Sequence, residues 1–513
     1  MASPCSAESK HMAKKLLKKY KTMIDDLQNN VNPVNIATML HRIAKVSTLT
    51  AIRRSVSQDK LGLIQKLSIL LGAKQQALQG DVISACLWSY SKLGAKITSV
   101  KVSELRCVGD VVDDLFTQAQ ENPKGFTCQS VTDLLHAFVA LKRSPREEFL
   151  TELISHAKTI IEHASFRSLT RMPWYFAKLK YRDDRVGIFP YIVRETETRI
   201  RAGRFDIKGL AITVAAWGEL DLENCNSLLD IIDMEVAQSI KALSPQDVVN
   251  FVTGFSALGY LPSESVLRKL SLAACRSGDQ IDTTQLIRIL QGYSGFGVRH
   301  ERLVKLVTAR LLEGGSELSL DDVAVACESL AILEALNGEM LRWAKSHFAG
   351  KEMSGVSEAG RRGMYLASLH GVFYHGFSQD GHLLNNGASI ESCRLAWKQW
   401  DSNRVRSNIL PQVLALLSKE GHRCEEQYEI HGPNFTVASV HRENETPCVV
   451  DVYDVRRVFV NVPNRLRGCE SWRVRVLRNA GFRVCWLDAK KWGVFASGPE
   501  KLKYLEAMLE RAR

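Results

Sequence analysis

The chain has 513 residues, of which 45% are hydrophobic and 24% charged, and its formal net charge is +12. This length exceeds what one hydrophobic core normally supports, so it predicts several domains or a repeat array. The basic excess favours an acidic partner such as nucleic acid, and no apolar run approaches the ~20 residues of a transmembrane helix.

Cysteine and histidine are spread widely along the chain. The twelve cysteines include no Cys-x-x-Cys pair, which favours small buried thiols in a reducing compartment over disulfides or a zinc site. His370, His375 and His382 are close in sequence but lack the spacing of a metal-ligand set. The sequence therefore predicts neither a metal nor a cofactor.

Residues 1–31 form a basic N-terminal segment. Its part from 10 to 21 contains six lysines and no arginine and has the periodicity of an amphipathic helix. Targeting peptides are usually rich in arginine and poor in acids, whereas Glu8 lies close by. A solvated first helix and a targeting segment both stay open as interpretations.

From residue 32 to residue 350 the chain repeats a ladder of apolar positions at 0, +3 or +4, +7 and +10. The closing residues of the ladders recur 37 to 48 residues apart, and second helices are predicted at 147–161, 188–200, 227–240, 263–275, 301–312 and 338–348. A helical period inside a repeat of about 38 residues predicts an α-solenoid of about eight helix-turn-helix repeats. Pro173 interrupts the fourth ladder and is expected to shorten or kink that helix.

The ladder also defines a face of each first helix. Positions +2, +5 and +9 lie roughly opposite the packed seam, and in several repeats they hold side chains that stack on or hydrogen-bond to single-stranded RNA. The candidate RNA-binding residues of the repeats are His41, Lys45, Trp88, Lys92, His136, Arg171, Trp174, Lys178, Asn250, Arg288 and Gln291. A merely solvated face is the alternative, and the fifth and eighth repeats, with Ile212, Ala215 and Val325, suit a protein contact better.

The ladder ends before residue 351. Helical patterns at 361–377 and 388–400, around a segment rich in Gly and Asn, predict a helical cap and hinge over 351–402. The last domain, 403–513, is predicted to begin with a helix at 408–420 and strands at 426–430 and 435–440.

The stretch from Cys448 to Trp492 predicts strands at 449–452 and 458–460, a helix at 470–479 and a strand at 482–487. Between residues 456 and 483 it holds eight arginines, no lysine and one acid, Glu470. Arginine favours planar, bidentate contact with phosphate, so this small α/β unit is predicted to face RNA. The candidate RNA-binding residues here are Arg456, Arg457, Arg465, Arg467, Trp472, Arg473, Arg475, Arg478, Arg483, Lys491 and Trp492.

The order of these features resembles the RAP domain: Val449-Val450-Asp451-Val452, then Trp472, then Leu477-Arg478-Asn479-Ala480-Gly481-Phe482 and the late Trp492. In that family the domain is a C-terminal module of organellar RNA-binding proteins, abundant in apicomplexan parasites and shared with FAST-kinase-domain proteins. The resemblance implies a restriction-endonuclease-like fold, a mitochondrial or plastid location, and a role in transcript processing, stability or organellar ribosomes.

The implied fold introduces a nuclease alternative. RNA cleavage there would need an acid at the end of one strand and a second acid on the next, which together hold a divalent metal. Asp451 occupies the first position, but the second falls on Asn461, and Asp454 lies in a predicted turn. Asparagine supplies no negative charge, so a non-catalytic protein is expected.

These features together predict a non-catalytic RNA-binding protein of an organelle, built mainly of α-helices. The irregular repeats favour a component or assembly factor of a mitochondrial ribosome that binds rRNA beside other ribosomal proteins. A free transcript processing or stability factor is the alternative, and a protein-interaction scaffold is the alternative of another class. Salt separates RNA binding from a scaffold, since phosphate contacts weaken as salt rises; replacing Arg473, Arg475 and Arg478 together is expected to weaken binding and flatten that dependence.

Overall fold

The structure is a computed structural model of the chain. It describes residues 15, 17–26, 31–49, 58–74, 78–94, 97–103, 106–181, 186–223, 225–239, 243–314, 318–349, 351, 353–375, 387–402, 408–430, 435–441, 447–453, 456–462 and 464–512. The chain divides into two compact units, unit 1 (Met1–Leu220) and unit 2 (Asp221–Arg513).

Unit 1 is built of helix pairs. The first helices of the pairs are α1 (Pro33–Leu49), α3 (Gly80–Leu93), α5 (Cys128–Ala140), α7 (Phe166–Lys178) and α9 (Ile207–Leu220). The second helices are α2 (Gln58–Gly72), α4 (Val108–Glu121), α6 (Glu147–Ile160) and α8 (Phe189–Arg201). Each first helix packs beside the next first helix along the chain, so unit 1 is a row of stacked repeats, as the ladder predicts.

The ladder residues form the core of these repeats. Tyr90, Phe138, Phe176 and Trp217, which stand at equivalent ladder positions, are all at most 1% exposed. Hydroxyl groups cap the N-terminal ends of α5 and α7, where the Thr127 and Ser165 side chains accept hydrogen bonds from the N–H groups of Ser130 and Ser168. Such a cap satisfies a donor that the helix itself leaves without a partner, which stabilises it by ~1 kcal/mol.

The fourth ladder differs from the prediction. Helix α7 runs through Pro173 and has 13 residues, the same length as α5, so the expected shortening is wrong. The ring of Pro173 is buried in the helix packing. Burial against neighbouring helices therefore offsets the loss of one backbone hydrogen bond.

Unit 2 begins with a second helix, α10 (Asn226–Gln238), and continues the same arrangement. Its helices are α11 (Pro245–Ala257), α12 (Glu264–Arg276), α13 (Thr283–Phe296), α14 (Glu301–Gly314), α15 (Leu320–Ile332), α16 (Gly338–Phe348), α17 (Glu358–His375) and α18 (Gly387–Ser402). The row of first helices α11, α13 and α15 is extended by α17, on which α18 packs. Gly259 and Gly297, which follow α11 and α13, are left-handed, the conformation that commonly ends a helix and favours glycine.

A small α/β domain follows within unit 2. It comprises α19 (Leu410–Lys419), β1 (Arg423–Ile430), β2 (Phe435–His441), β3 (Cys448–Tyr453), α20 (Gly468–Asn479), β4 (Arg483–Asp488), α21 (Ala489–Val494) and α22 (Gly498–Arg511). The sheet order is β1-β2-β3-β4; the first two pairs are antiparallel, and β3 and β4 are parallel, with Tyr453 opposite Asp488. This confirms the predicted fold class of helical repeats followed by a small α/β domain.

One predicted strand does not join the sheet. Residues 458–460 form a loop in which Val458 makes an isolated bridge to Leu466, and the Val460 N–H donates to the Gly259 carbonyl at 2.9 Å. The alternating pattern of residues 458–460 predicts an extended segment. The backbone of this segment hydrogen-bonds to the turn after α11 and not to a strand of the sheet. Asp454 lies outside the described residues.

Several smaller predictions can be compared with the structure. Residues 17–26 are helical, and half of the predicted basic helix at 10–21 lies outside the described residues. His370 is buried, and the His375 side chain and His382 are outside the described part. Among the described residues no cluster of three or more His, Cys, Asp or Glu is arranged to hold a metal ion, and their cysteines are free thiols. In that same part of the chain, no helix has the length and apolar character of a bilayer span.

Candidate nucleic-acid interface

Three of the predicted face residues of unit 1 come together in a row of rings. His41 of α1 and Trp88 of α3 have ring centroids 4.6 Å apart, and Trp88 lies edge-on to His136 of α5 at 6.4 Å. His136 stacks on Tyr175 of α7, with centroids 5.5 Å apart and planes 16° from parallel. We call His41, Trp88, His136 and Tyr175 the aromatic stripe; it crosses four successive first helices.

Cations flank the aromatic stripe. The Lys92 ammonium lies 5.6 Å from the centre of the Trp88 ring, and the Lys178 ammonium lies 4.3 Å from the centre of Trp174. Lys178 also pairs with Glu219 at 2.7 Å, so part of its charge is already neutralised within the unit. Lys45, one turn along α1 from His41, is exposed. The stripe thus combines ring edges with exposed positive charge, which is what a single-stranded polyanion requires.

The histidines of the stripe are held in their neutral form. Burial lowers the pKa of His136 to about 4, and the nearby charges of Lys92 and Arg171 lower it further. Burial also lowers the pKa of His41, with a contribution from Lys45. A neutral imidazole stacks on neighbouring rings without the desolvation cost of a buried imidazolium. The positive charge of the stripe at neutral pH therefore comes from its lysines and arginines.

An acid lies beside the stripe at a predicted face position. Burial raises the pKa of Asp133 on α5, while a hydrogen bond from Gln129 and the charges of Arg167 and Arg171 oppose that shift. The Gln129 amide donates to the carboxylate at 3.0 Å. Arg171 on α7 is half-buried next to these groups, so the third and fourth repeats together present a mixed polar surface.

The corresponding face in unit 2 has a different character. Asn250 accepts a hydrogen bond from Gln246 at 2.9 Å, and Gln246 in turn accepts one from Gln285 at 3.3 Å. Arg288 and Gln291 are exposed on α13. These predicted residues form a polar surface without stacked rings. In the eighth repeat, Glu328 is buried and pairs with Arg362 of α17, so an intramolecular contact occupies that position.

Part of the predicted arginine-rich surface is interior. Trp472 and Trp492 are 0% and 2% exposed, and Arg473 is 4% exposed. Arg473 forms ion pairs with Asp401 at 3.2 Å and with Asp451 at 2.8 Å. Trp472, Trp492 and Arg473 therefore do not reach the surface, and they have a structural role in this fold. The acids that neutralise Arg473 lie on other elements of the same unit.

Two further arginines hold the α/β domain against the repeats of unit 2. Arg467 donates to the Ser256 carbonyl in the last turn of α11. Arg475 donates to the Ile332 carbonyl at the end of α15 at 2.7 Å, and it lies 2.6 Å from Glu334. The C-terminal end of a helix carries partial negative charge and carbonyls without helical partners, so a guanidinium there is stabilising. Arg457 is likewise engaged within the domain, with Asp451 at 2.7 Å.

The other candidates of the α/β domain are accessible to different extents. Arg456, Arg465, Arg478 and Lys491 are exposed, and Arg483 is half-buried. Arg478 lies over Trp486, 5.6 Å from the ring centre. The accessible part of the predicted surface is therefore smaller than the arginine count alone indicates.

The two positions of the nuclease alternative are both engaged. Asp451 accepts hydrogen bonds from Arg457 and Arg473 through its two carboxylate oxygens. Asn461 donates to the Leu261 carbonyl and accepts from the Leu261 N–H. Both side chains thus contribute to the packing of unit 2.

Sequence reasoning missed Tyr175, Asp401 and the contact between Asn461 and Leu261. Tyr175 is adjacent to the predicted Trp174, and a search for rings at neighbouring ladder positions would have found it. Asp401 is 72 residues from Arg473, and no local pattern joins the two.

Comparison with known proteins gives one family match. Residues 105–345 match the model of a family described as RESC6, RNA-editing substrate-binding complex 6 protein. No curated protein matches the chain. The matched residues run from the start of α4, the second helix of its pair, into α16 and stop before the α/β domain. The repeat region of this chain is thus similar to a family whose description names an RNA-editing substrate-binding complex.

Proposed function

We propose that this protein binds single-stranded RNA along the aromatic stripe of unit 1 and does not cleave it. The observation that carries the proposal is the continuous row His41, Trp88, His136 and Tyr175 with cations beside it. Tyr175 is only 8% exposed, whereas His41, Trp88 and His136 are half-buried. The exposed parts of these three rings offer contacts to successive bases, while Lys45 and Lys92 attract the phosphates. The family match of the repeat region to an RNA-editing substrate-binding complex protein supports the same function.

The exposed cations of the α/β domain extend this proposal to unit 2. Arg456, Arg465 and Arg478 are exposed, whereas Arg473 is buried in its ion pairs. They would add phosphate contacts, and these carry little sequence preference. The domain's other arginines hold it to the repeats.

For the identity of the RNA we propose a role within a ribonucleoprotein complex. The sequence favours organellar rRNA and a mitochondrial ribosome, on the RAP resemblance and the irregular repeats. The family match favours the alternative of a transcript processing factor, because its description names RNA editing. Crosslinking followed by sequencing of the RNA bound in purified mitochondria separates these roles: rRNA reads support the first, and reads from other transcripts support the second.

The absence of RNA cleavage is part of the proposal. Asp451 is neutralised by two arginines, and Asn461 supplies an amide where a second acid would be needed. A cleavage assay on single-stranded RNA with divalent metal tests this, with Asp451→Ala as control. Activity that disappears in the variant would contradict the proposal.

The alternative of a protein-interaction scaffold is tested by salt. Binding of a fluorescent single-stranded RNA to the full chain, measured by anisotropy, should weaken steeply as salt rises. The double variant Lys45→Glu/Lys92→Glu should bind at least tenfold more weakly and with a shallower salt dependence, whereas Lys101→Glu, an exposed lysine elsewhere in unit 1, should bind like the wild type. An RNA affinity that is equal in all three proteins would refute the stripe and favour the scaffold.

A further inference from the structure

Unit 2 contains a cleft of about 550 Å³ at the edge of its sheet. The α/β domain contributes the ends of β3 and β4, marked by Tyr453 and Asp488, and the loop that follows β3. The opposite wall comes from residues 221–226 and the end of α11. Ligands of open α/β sheets bind outside the carboxyl ends of parallel strands, and β3 and β4 are the parallel pair of this sheet.

Three cations line the wall that the α/β domain provides: Arg456, Arg467 and Lys490. Arg456 and Lys490 are exposed at the rim. The Arg467 guanidinium donates to two backbone carbonyls, Ser256 and Arg456, and forms no ion pair with any residue that the structure describes. Burial lowers its pKa. Asp221, on the opposite wall, is the carboxylate whose charge opposes that shift. The hydrogen bonds of this largely buried cation go to neutral carbonyls, so an anion that reaches it would be stabilised, and the wall with Arg456, Arg467 and Lys490 is the part of the cleft that favours phosphate.

The rest of the cleft offers contacts that suit the base and the ribose of a nucleotide. Leu258, Val458 and Val460 give it an apolar surface on which a base can lie. Asp221 and Glu223 are exposed carboxylates of the opposite wall, and carboxylates accept hydrogen bonds from ribose hydroxyls. The cleft thus offers cations, apolar surface and acceptors within a volume typical of small-molecule sites.

We propose that this cleft binds a nucleoside 5′-monophosphate, either as a free nucleotide or as the phosphorylated 5′ end of an RNA. The terminal phosphate carries more charge than an internal phosphodiester, which matches three cations in one wall. The RNA-end form rests on the proposed RNA-binding function, whereas the free-nucleotide form stands without it.

The test measures binding of adenosine 5′-monophosphate to the full chain by titration calorimetry. Arg456→Ala keeps the backbone carbonyl that binds Arg467, and Lys490→Ala removes only an exposed side chain. Each variant should bind the nucleotide about tenfold more weakly, as expected for one lost charge-assisted contact. Lys491→Ala is the matched control, because Lys491 is exposed on the same helix but does not line the cleft; its affinity should stay within twofold of the wild type. Absence of saturable binding, or equal losses for Lys490→Ala and Lys491→Ala, would overturn the proposal.

Competition distinguishes the two sources of the ligand. A ten-nucleotide RNA with a 5′-phosphate that displaces the nucleotide, while its 5′-hydroxyl counterpart does not, supports the RNA end. Displacement by neither RNA supports the free nucleotide. Trp174→Ala changes the predicted RNA-binding face of unit 1 next to Tyr175 of the aromatic stripe. It should weaken RNA binding and leave nucleotide binding unchanged, so the experiment distinguishes a failure of the RNA-binding proposal from a failure of the cleft.

Discussion

Asn461 and Leu261 form a two-point contact that joins the loop after β3 to the repeats of unit 2. The Asn461 amide donates to the Leu261 carbonyl at 2.8 Å, and its oxygen accepts from the Leu261 N–H at 2.9 Å. A primary amide reproduces in this way the pairing that a neighbouring strand would give. The residue that departs from the acid expected of a nuclease therefore has a specific structural use here.

Asn461→Asp should destabilise the protein more than a typical surface change does. An aspartate accepts from the Leu261 N–H but has no hydrogen to donate, and its charge lies against the Leu261 carbonyl. We expect a loss of about 2 kcal/mol in the free energy of unfolding, measured with urea at neutral pH. A variant as stable as the wild type would show that the contact is not important for stability.

Arg473 and Arg478 lie on the same helix, α20, but should respond oppositely to replacement. Arg473→Ala removes a buried guanidinium from Asp401, which is 0% exposed, and from Asp451, so it should cost about 3 kcal/mol or more in stability. Arg478→Ala removes an exposed side chain and should change stability by about 0.5 kcal/mol or less. The same urea unfolding measurement compares them, and equal losses would contradict the assignment of Arg473 to the interior. Replacing Arg473, Arg475 and Arg478 together would mix unfolding with lost RNA contacts.

Gly468, the first residue of α20, lies against the end of α13. A Cβ atom built there would be 1.6 Å from the Ser294 carbonyl oxygen, so Gly468→Ala must shift backbone. We expect a loss of about 2 kcal/mol or more. Gly493→Ala is the matched control, since a Cβ atom there meets nothing within 4 Å. If thermal unfolding temperatures of both variants equal that of the wild type, α20 does not pack on α13 as described.

The helical repeats and the sheet were largely predictable from the sequence, whereas the groups that the arginine side chains contact were not. Periodicity near 3.6 residues reports which face a helix buries, so the predicted helix at 338–348 coincides with α16, and the face positions bring His41, Trp88 and His136 together. Whether an arginine faces solvent depends on acids and carbonyls distant in sequence. Asp401 for Arg473 and Ile332 for Arg475 are such partners, and a local pattern contains no information about them.

His136 should make the stability of unit 1 depend on pH. Burial lowers its pKa to about 4, below the value of ~6.5 in an unfolded chain. The unfolded state therefore binds more protons between these values, so the contribution is fully present above pH 6.5 and is lost as pH falls toward 4. Between pH 7.5 and 5 the wild type should lose about 2 kcal/mol more than His136→Gln, which does not titrate there. Urea unfolding of both proteins at both pH values measures this difference. Asp133 and His41 are present in both proteins, so their titration cancels in the comparison. Equal losses of stability in the two proteins would contradict a buried neutral His136.

The central claim is that RNA binds the first-helix face of unit 1, and two aromatic residues with similar surroundings test it directly. Trp174 carries Lys178 over its ring at 4.3 Å on a first helix, and Tyr191 carries Lys158 over its ring at 4.6 Å on a second helix. The affinity of the full chain for a fluorescent single-stranded RNA should fall about tenfold in Trp174→Ala, as for one lost stacking contact, and should stay within twofold in Tyr191→Ala. Equal affinities in both variants, or a larger loss in Tyr191→Ala, would contradict the account.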